Sequence, residues 1–364
     1  MSPNPTASCP ICAAPATLLR GDYPGYRAPD VYDIFGCCFC DLQFASPFVA
    51  IGEIYESIYR QPEIVPGYDR YAGYAQAVTS SEKPLEFRAA REEMYWLVAR
   101  AMRELPPSSS IVEVGSGYGY LTYALARAGY RIRGVDIAPS AVEAARRRFG
   151  DLYLCDDIGM FSRRLPASTD VVVMTEVLEY LDQPVAVLAA IRDALRPGGS
   201  LLMTMPSRDF HPADALWRTE LPPVHLAWYS KTSLREMARR VGMSIRFQDY
   251  SEFHAERVAG IRPEKRRPSP SAILNADSSV RMRSSGDVTR TSFRGWGQAR
   301  WPALARLGNS RRRADAACLG RRTLLAGIRC GVRRSERTGR VQCGPHTGGP
   351  AGASEQGAKT RSGR

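Results

Sequence analysis

The chain has 364 residues and a formal net charge of +13, with 44% hydrophobic and 24% charged residues, enough for more than one buried core. The positive excess sits at one end: residues 1–260 carry 27 Lys and Arg against 31 Asp and Glu, whereas residues 261–364 carry 23 against 6. A nucleic-acid partner is therefore expected only through the basic tail. No run approaches membrane-spanning length and no apolar leader opens the sequence, which predicts a cytoplasmic protein with reduced cysteines.

Cys9-Pro10-Ile11-Cys12 and Cys37-Cys38-Phe39-Cys40 form two C-x2-C pairs, the spacing at which adjacent thiolates share one tetrahedral Zn2+. The spacing predicts a structural zinc ribbon over residues 1–48, held by Cys9, Cys12, Cys37 and Cys40, with Cys38 as the spare. A segment this short needs such a staple. Two unrelated groups of buried thiols are the other reading. Residues 49–84 form a connector in which Tyr55, Tyr59, Tyr68, Tyr71 and Tyr74 crowd together. They serve either as packing against a sheet or as a lid over a site. FRAAREEMYWLVARAM then reads as one amphipathic helix that opens a domain expected to span 85–260.

VEVGSGYGY, residues 112–120, follows, with Glu113, Gly115, Gly117 and Gly119 at E-x-G-x-G-x-G spacing. Glycine has no Cβ, so it tolerates a tight strand-to-helix turn and lets a ligand approach the backbone, at the carboxyl end of a parallel strand. A dinucleotide fingerprint fails at Tyr120, and no Walker lysine follows. A loop that opens with a carboxylate and offers no fixed cation suits a ligand carrying ammonium and sulfonium charge. RIRGVDI then ends in Asp136, about 20 residues on, where an acid meets ribose hydroxyls in doubly wound folds.

Pro139 and Ser140 start a second helix, SAVEAARRRFG, and DLYLCDD brings Asp156 and Asp157 to the next strand end. DVVVMTEVLEYL, 170–181, begins as a buried parallel strand; helix PVAVLAAIRDALRPGG is expected to stop at Gly198–Gly199, and SLLMTMP gives a fifth strand. Five strand–helix alternations predict an α/β fold with a doubly wound, mostly parallel, Rossmann-like sheet covered on both faces. A helix starting near Ser233 and a sixth strand come next.

Motif, acids, EVLEYL and LRPGG occur in the order that resembles class I S-adenosylmethionine-dependent methyltransferases, over about residues 85–250. FGCCFCDLQFASP and the HLxWYS…SL…G pattern look like those of bacterial small-molecule methyltransferases with a zinc ribbon ahead of the catalytic domain. The resemblance implies S-adenosyl-L-methionine as cofactor, held by Glu113, Gly115, Gly117, Gly119, Asp136 and Glu176, with Asp156 or Asp157 meeting the adenine amino group. It also implies methyl transfer to a small-molecule acceptor (a sugar, a lipid-linked compound or a secondary metabolite) at O, N or C. A ribosomal RNA methyltransferase with a zinc ribbon is the alternative, and the acidic balance of residues 1–260 argues against it.

His225 and His211 are the histidines expected near the site, and either could take a proton from a hydroxyl or amine, or simply pack or cap a helix. Glu179, with Glu176, flanks the end of the fourth strand and either faces the acceptor or caps the next helix. The tail, 261–364, is rich in Arg, Ser and Gly and reads as disordered, either a basic arm for RNA and anionic surfaces or the product of a shifted reading frame. The family closes its sheet with a seventh, antiparallel strand. No convincing run for it is found after SIRFQDY, which leaves its presence open; without it, a cofactor-binding relative lacking turnover is a further alternative.

Overall fold

The computed structural model describes residues 6–66, 68–210, 221–248, 253, 271–281 and 323–330. The amino-terminal strands are β1 (Thr6–Ser8), β2 (Pro15–Pro24), β3 (Val31–Cys37) and β4 (Gln43–Ser46), and the connector holds α1 (Gly52–Arg60) and α2 (Asp69–Ala77). Then come α3 (Pro84–Ala89), α4 (Glu93–Arg103), β5 (Ser110–Val114), α5 (Tyr120–Arg127), β6 (Arg131–Asp136), α6 (Pro139–Phe149), β7 (Tyr153–Cys155) and α7 (Ile158–Arg164). The rest is β8 (Thr169–Thr175), α8 (Pro184–Ala194), β9 (Leu195–Pro206), β10 (Ala227–Trp228), α9 (Lys231–Arg240), β11 (Met243–Gln248) and β12 (Thr323–Cys330).

These strands build two sheets. The larger has the order β11-β12-β9-β8-β5-β6-β7, with β5, β6, β7, β8 and β9 parallel to their neighbours in that run and β12 antiparallel to both β9 and β11. This is a doubly wound, mostly parallel, Rossmann-like sheet. Its central strands are covered on both faces, which is why β5 and β8 read as nearly unbroken apolar runs. Alternation sorts their side chains: Val112, Val172 and Met174 join one core, and Ile111, Val171 and Val173 join the other with α4 and α5. The smaller sheet has the order β1-β2-β3-β4-β10, so a two-residue strand from beyond β9 completes the amino-terminal ribbon. Phe35, Leu42 and Phe44 of the ribbon share one apolar cluster with Met203, Met205 and Met237 of the larger sheet and its helices. Among the described residues no helix is long and apolar enough to cross a membrane.

Local signals set most boundaries. Pro139 occupies the first turn of α6, and Gly150, at φ +87°, ends it. Four expectations need correction. FRAAREEMYWLVARAM is two helices, broken between Ala89 and Glu93, and the bend turns both Arg88 and Tyr95 toward one tyrosine cluster. The helix before LRPGG stops at Ala194, and β9 already begins at Leu195, because Pro197 disfavours helical backbone at Arg196 and Gly198 turns at φ +82°. The next helix starts at Lys231 rather than Ser233: Ser230 is its N-cap, and Ser233 returns the bond as a capping box.

The fourth correction concerns the tail. The seventh strand is present as β12, which pairs Thr323 with Pro206 and Ile328 with both Leu201 and Ile245. Residues 271–281, also assigned to a disordered tail, are part of the fold. Ile273 and Leu274 are buried in a cluster with Tyr26, Ile54, Leu221 and Val224, and both donate backbone N–H groups to the Tyr26 carbonyl. The other tail residues lie outside the described set. Leu274→Ala is expected to cost about 2–5 kcal/mol by leaving a cavity in this cluster. Urea denaturation of the full chain measures it, and a change within error would mean that the segment is not docked in solution.

Candidate functional site

The glycine loop hangs between β5 and α5. Gly115, Gly117 and Gly119 have φ of +73°, +47° and +77°, conformations that other residues adopt only with strain. Their requirements differ. A Cβ on Gly119 would stand 2.6 Å from the Tyr153 ring, whose hydroxyl donates to the Gly119 carbonyl at 2.6 Å, so this glycine admits a packed side chain rather than a ligand. Gly115 and Gly117 line a cavity. The Gly117 N–H donates to Asp136 Oδ2 at 2.7 Å, and Ala138 N–H donates to Oδ1 at 2.9 Å. Asp136 is 7% exposed, and burial raises its carboxyl above the usual range against the pull of these donors.

Glu113 is buried beneath the loop, accepts from the Thr122 hydroxyl and lines the same cavity. Burial pushes its carboxyl up to about 8. At the end of β8, Glu176 also lines the cavity; its backbone is left-handed at φ +53°, and its Oε1 accepts from Thr204 Oγ1 at 3.1 Å. Such strain at the end of a central strand is typical of functional positions.

Most of the remaining wall is tyrosine. Tyr55, Tyr59, Tyr68 and Tyr71 come from the connector, Tyr95 from α4, and Tyr118, Tyr120 and Tyr180 from around the two strand ends. The Tyr59 ring meets Tyr118 edge-on at 5.3 Å, and its hydroxyl lies 3.4 Å from where a Gly117 Cβ would stand. Burial holds Tyr55, Tyr59 and Tyr180 well above the usual phenol range, so they act as hydroxyl donors. Behind this wall the fully buried Arg88 stacks on Tyr74 at 3.3 Å and Tyr95 at 4.6 Å, and pairs with Glu92 at 3.6 Å.

Asp136 and Gly119 support the loop without lining the cavity, and the other anticipated residues are not among its lining either. Asp157 caps α7, accepting from Met160 N–H at 2.8 Å, and Asp156 pairs with Arg164 at 2.6 Å. Glu179 and His225 are buried, and neither is among the residues lining the cavity; His225 packs edge-on against Tyr180 at 4.8 Å, and it is Tyr180 that reaches the space. His211 lies outside the described residues. Tyr118, Tyr120 and Tyr180 went unassigned in the sequence although they stand inside the motifs themselves. Arg88 carried no local signal.

Cys9, Cys12, Cys37 and Cys40 converge in the ribbon, all buried, with their sulfurs within 4.8 Å of one another. The Cys9–Cys40 and Cys12–Cys37 separations are 3.5 and 3.4 Å. Four thiolates about 2.3 Å from one ion stand about 3.8 Å apart, so the set fits a closed tetrahedral Zn2+. Cys9 is drawn down to about 5 by the hydrogen bond from Cys40, while burial pushes Cys12 up to about 12. A cation is what allows all four to ionise together.

The sheet order, the acid-led glycine loop and the buried Asp136 agree with the resemblance to class I methyltransferases drawn from the sequence. Residues 87–246 match a family model described as a methyltransferase domain. A ubiquinone biosynthesis O-methyltransferase of Xanthomonas campestris pv. campestris is 31% identical over 113 residues, 30% of this chain and 47% of the relative. One of the same name from Idiomarina loihiensis is 34% identical over 104 residues, 27% of this chain and 43% of the relative. The chain thus spans about half the length of the curated relatives it matches. A solved S-adenosylmethionine-dependent methyltransferase from Mesorhizobium loti aligns with a TM-score of 0.37 at 19% identity, covering 45% of this chain and 90% of that one.

The raised carboxyl of Glu113 makes stability pH-dependent. Stability from this group is fully present below its unfolded value near 4.5 and is lost as pH rises through about 8. Glu113→Gln should therefore gain on the wild type in thermal melts between these limits and hold a constant lead above them. A difference that does not vary with pH would refute the buried, proton-retaining state.

Proposed function

We propose that this chain is an enzyme that binds S-adenosyl-L-methionine on the glycine loop and transfers its methyl group to a small-molecule acceptor in the tyrosine-lined cavity. The observation that carries this reading is the buried Asp136 carboxylate bonded to the Gly117 N–H, with the buried acid Glu113 lining the cavity beside it. The Asp136 carboxylate accepts from the Gly117 and Ala138 backbone N–H groups, one on each oxygen, and Ile137 N–H also acts on it; the lone pairs left over suit a ribose hydroxyl. Gly117 leaves backbone open to the ligand, Gly115 makes room for Val177 at the root of the loop, and Glu113 ionises opposite the ligand's positive charge. Asp156 and Asp157 stand as alternatives for the adenine edge: Asp157 caps α7 with one oxygen, and Asp156 pairs with Arg164.

When bound, the cofactor supplies a methyl group on a sulfonium leaving group; the chain's contribution is alignment. Glu176 is the cavity carboxylate able to take a proton from an O–H or N–H acceptor, and Tyr55 and Tyr180 supply hydroxyl donors. His225 acts through Tyr180, which it holds from behind. The names of the matched relatives favour oxygen as the methylated atom. The cavity, of about 100 Å³, is below the roughly 300–1,000 Å³ of small-molecule sites, so the connector tyrosines have to move to admit ligand, which favours the lid over mere packing. In the ribbon, Cys9, Cys12, Cys37 and Cys40 hold one structural Zn2+.

Calorimetry with S-adenosylmethionine tests the site. Asp136→Ala should weaken binding by about tenfold or more, Gly117→Arg should abolish it, and Asp193→Ala, whose carboxylate faces solvent beside Arg192, should stay within about twofold. Equal effects of the two aspartate variants would remove Asp136 from the site. Release of S-adenosylhomocysteine across a library of phenols, amines and sugars then reports turnover. Metal analysis of protein purified under reducing conditions should find one zinc per chain, and chelation should lower the melting temperature. Zinc-free protein with an unchanged melt would dismiss the metal.

A further inference from the structure

The ribbon and the tyrosine cavity are built on one shared segment, residues 221–230. On its ribbon side, Ala227 and Trp228 lie opposite Phe44 and Gln43, and Ala45 N–H donates to the Leu226 carbonyl at 2.9 Å. On its cavity side, Leu226 N–H donates to the Glu179 carbonyl at 2.8 Å and the Tyr229 hydroxyl to the Leu178 carbonyl at 3.3 Å. The Tyr55 hydroxyl donates to the Val224 carbonyl at 2.9 Å, and the His225 ring backs Tyr180. Tyr55 and Tyr180 are cavity walls.

The cysteine knuckles are held by the same part of the chain. At the start of α9, the Ser230 hydroxyl donates to the Asp41 carbonyl at 3.4 Å; at its end, Arg240 Nη2 donates to the Cys12 carbonyl at 2.8 Å. Arg208 donates to the Asp41 carbonyl at 2.9 Å and pairs with the Asp41 carboxylate. One helix thus spans both knuckles, and its N-cap residue closes the shared segment. Asp41 follows Cys40 directly and the other carbonyl is that of Cys12 itself, so both contacts fall on the knuckles that carry the sulfurs. The glycine loop is hydrogen-bonded within the parallel sheet, to Asp136 and Tyr153, and meets residues 176–183 through the Val177 side chain at Gly115.

We propose that metal occupancy of the ribbon positions the acceptor wall, through α9, Arg208 and residues 221–230, and leaves the cofactor loop unaffected. The proposal rests on reading the cysteine cluster as a zinc site and the tyrosine cavity as the acceptor site. Hydrogen–deuterium exchange on the full chain, before and after zinc chelation, tests it without an identified acceptor. Removal of zinc should speed exchange by about tenfold in peptides covering 41–48, 176–183 and 221–230, and leave 110–125 within about twofold. The dissociation constant of S-adenosylmethionine should also stay within about twofold.

Faster exchange confined to 9–46, or spread equally into 110–125, would overturn the proposal. Arg240→Leu, with all four thiols intact and zinc still at one per chain, should speed exchange in 221–230 in the same way, and an unchanged pattern there would also overturn it. Zinc content is read separately: none in the untreated protein brings down the metal reading and the proposal together. Failure of S-adenosylmethionine to bind brings down the methyltransferase reading, while the exchange pattern still decides the coupling.

Discussion

A buried hydrogen bond from the Gly117 N–H to the Asp136 carboxylate ties together the ends of the first two parallel strands, and the site is organised around it. The loop at Gly117 is in a left-handed conformation, and a buried carboxylate is costly unless donors reach it; each offsets the other. Ala138 N–H on the second oxygen fixes the carboxylate plane, and Gly115 N–H on the Val135 carbonyl fixes the root of the loop. Tyr153 fills the space beneath Gly119. The loop is therefore set by β5, β6 and β7 before any ligand arrives, as a site that binds by preorganisation requires.

Above this loop lies an aromatic layer that is polar only at its tips. The Tyr71, Tyr74, Tyr95 and Tyr120 rings contact one another at centroid distances of 5.9–6.5 Å, with Arg88 stacked among them. A guanidinium over ring faces retains electrostatic stabilisation where water is excluded, which is how this arginine is accommodated in the interior. Tyr59 and Tyr118 continue the layer over Gly117. The cavity is small because the connector covers the loop.

The ribbon is more than an appendage stapled by a metal. Its fifth strand comes from beyond β9, its apolar underside shares a core with β8 and β9, and the segment 271–281 closes over Tyr26 from the far side. A short segment with little core of its own gains both a cluster of four cysteines and a partner surface. The ribbon and the cavity walls Tyr55 and Tyr180 share residues 221–230.

How much of this could be read from residues alone follows from how local each demand is. Three glycines at alternate positions after an apolar strand, an acid about 20 residues on, and two C-x2-C pairs each carry their geometry within a few residues, so the loop, Asp136, the cysteine cluster and the parallel sheet were legible. The capping of α7 by Asp157, the position of His225 behind Tyr180 and the burial of Arg88 depend on which neighbours the fold supplies. The strand β12 reaches its place between β9 and β11 across residues 249–322, and the two residues of β10 join a sheet formed near the other end of the chain; strand partners so distant leave no periodic mark in sequence. The amino-acid sequence by itself determined the chemistry of the loop and of the thiols, because those follow from residue type and spacing. Only the tertiary structure decided which tyrosines and carboxylates share the cavity and that the ribbon and its wall share one segment, because side-chain neighbours are set by long-range packing.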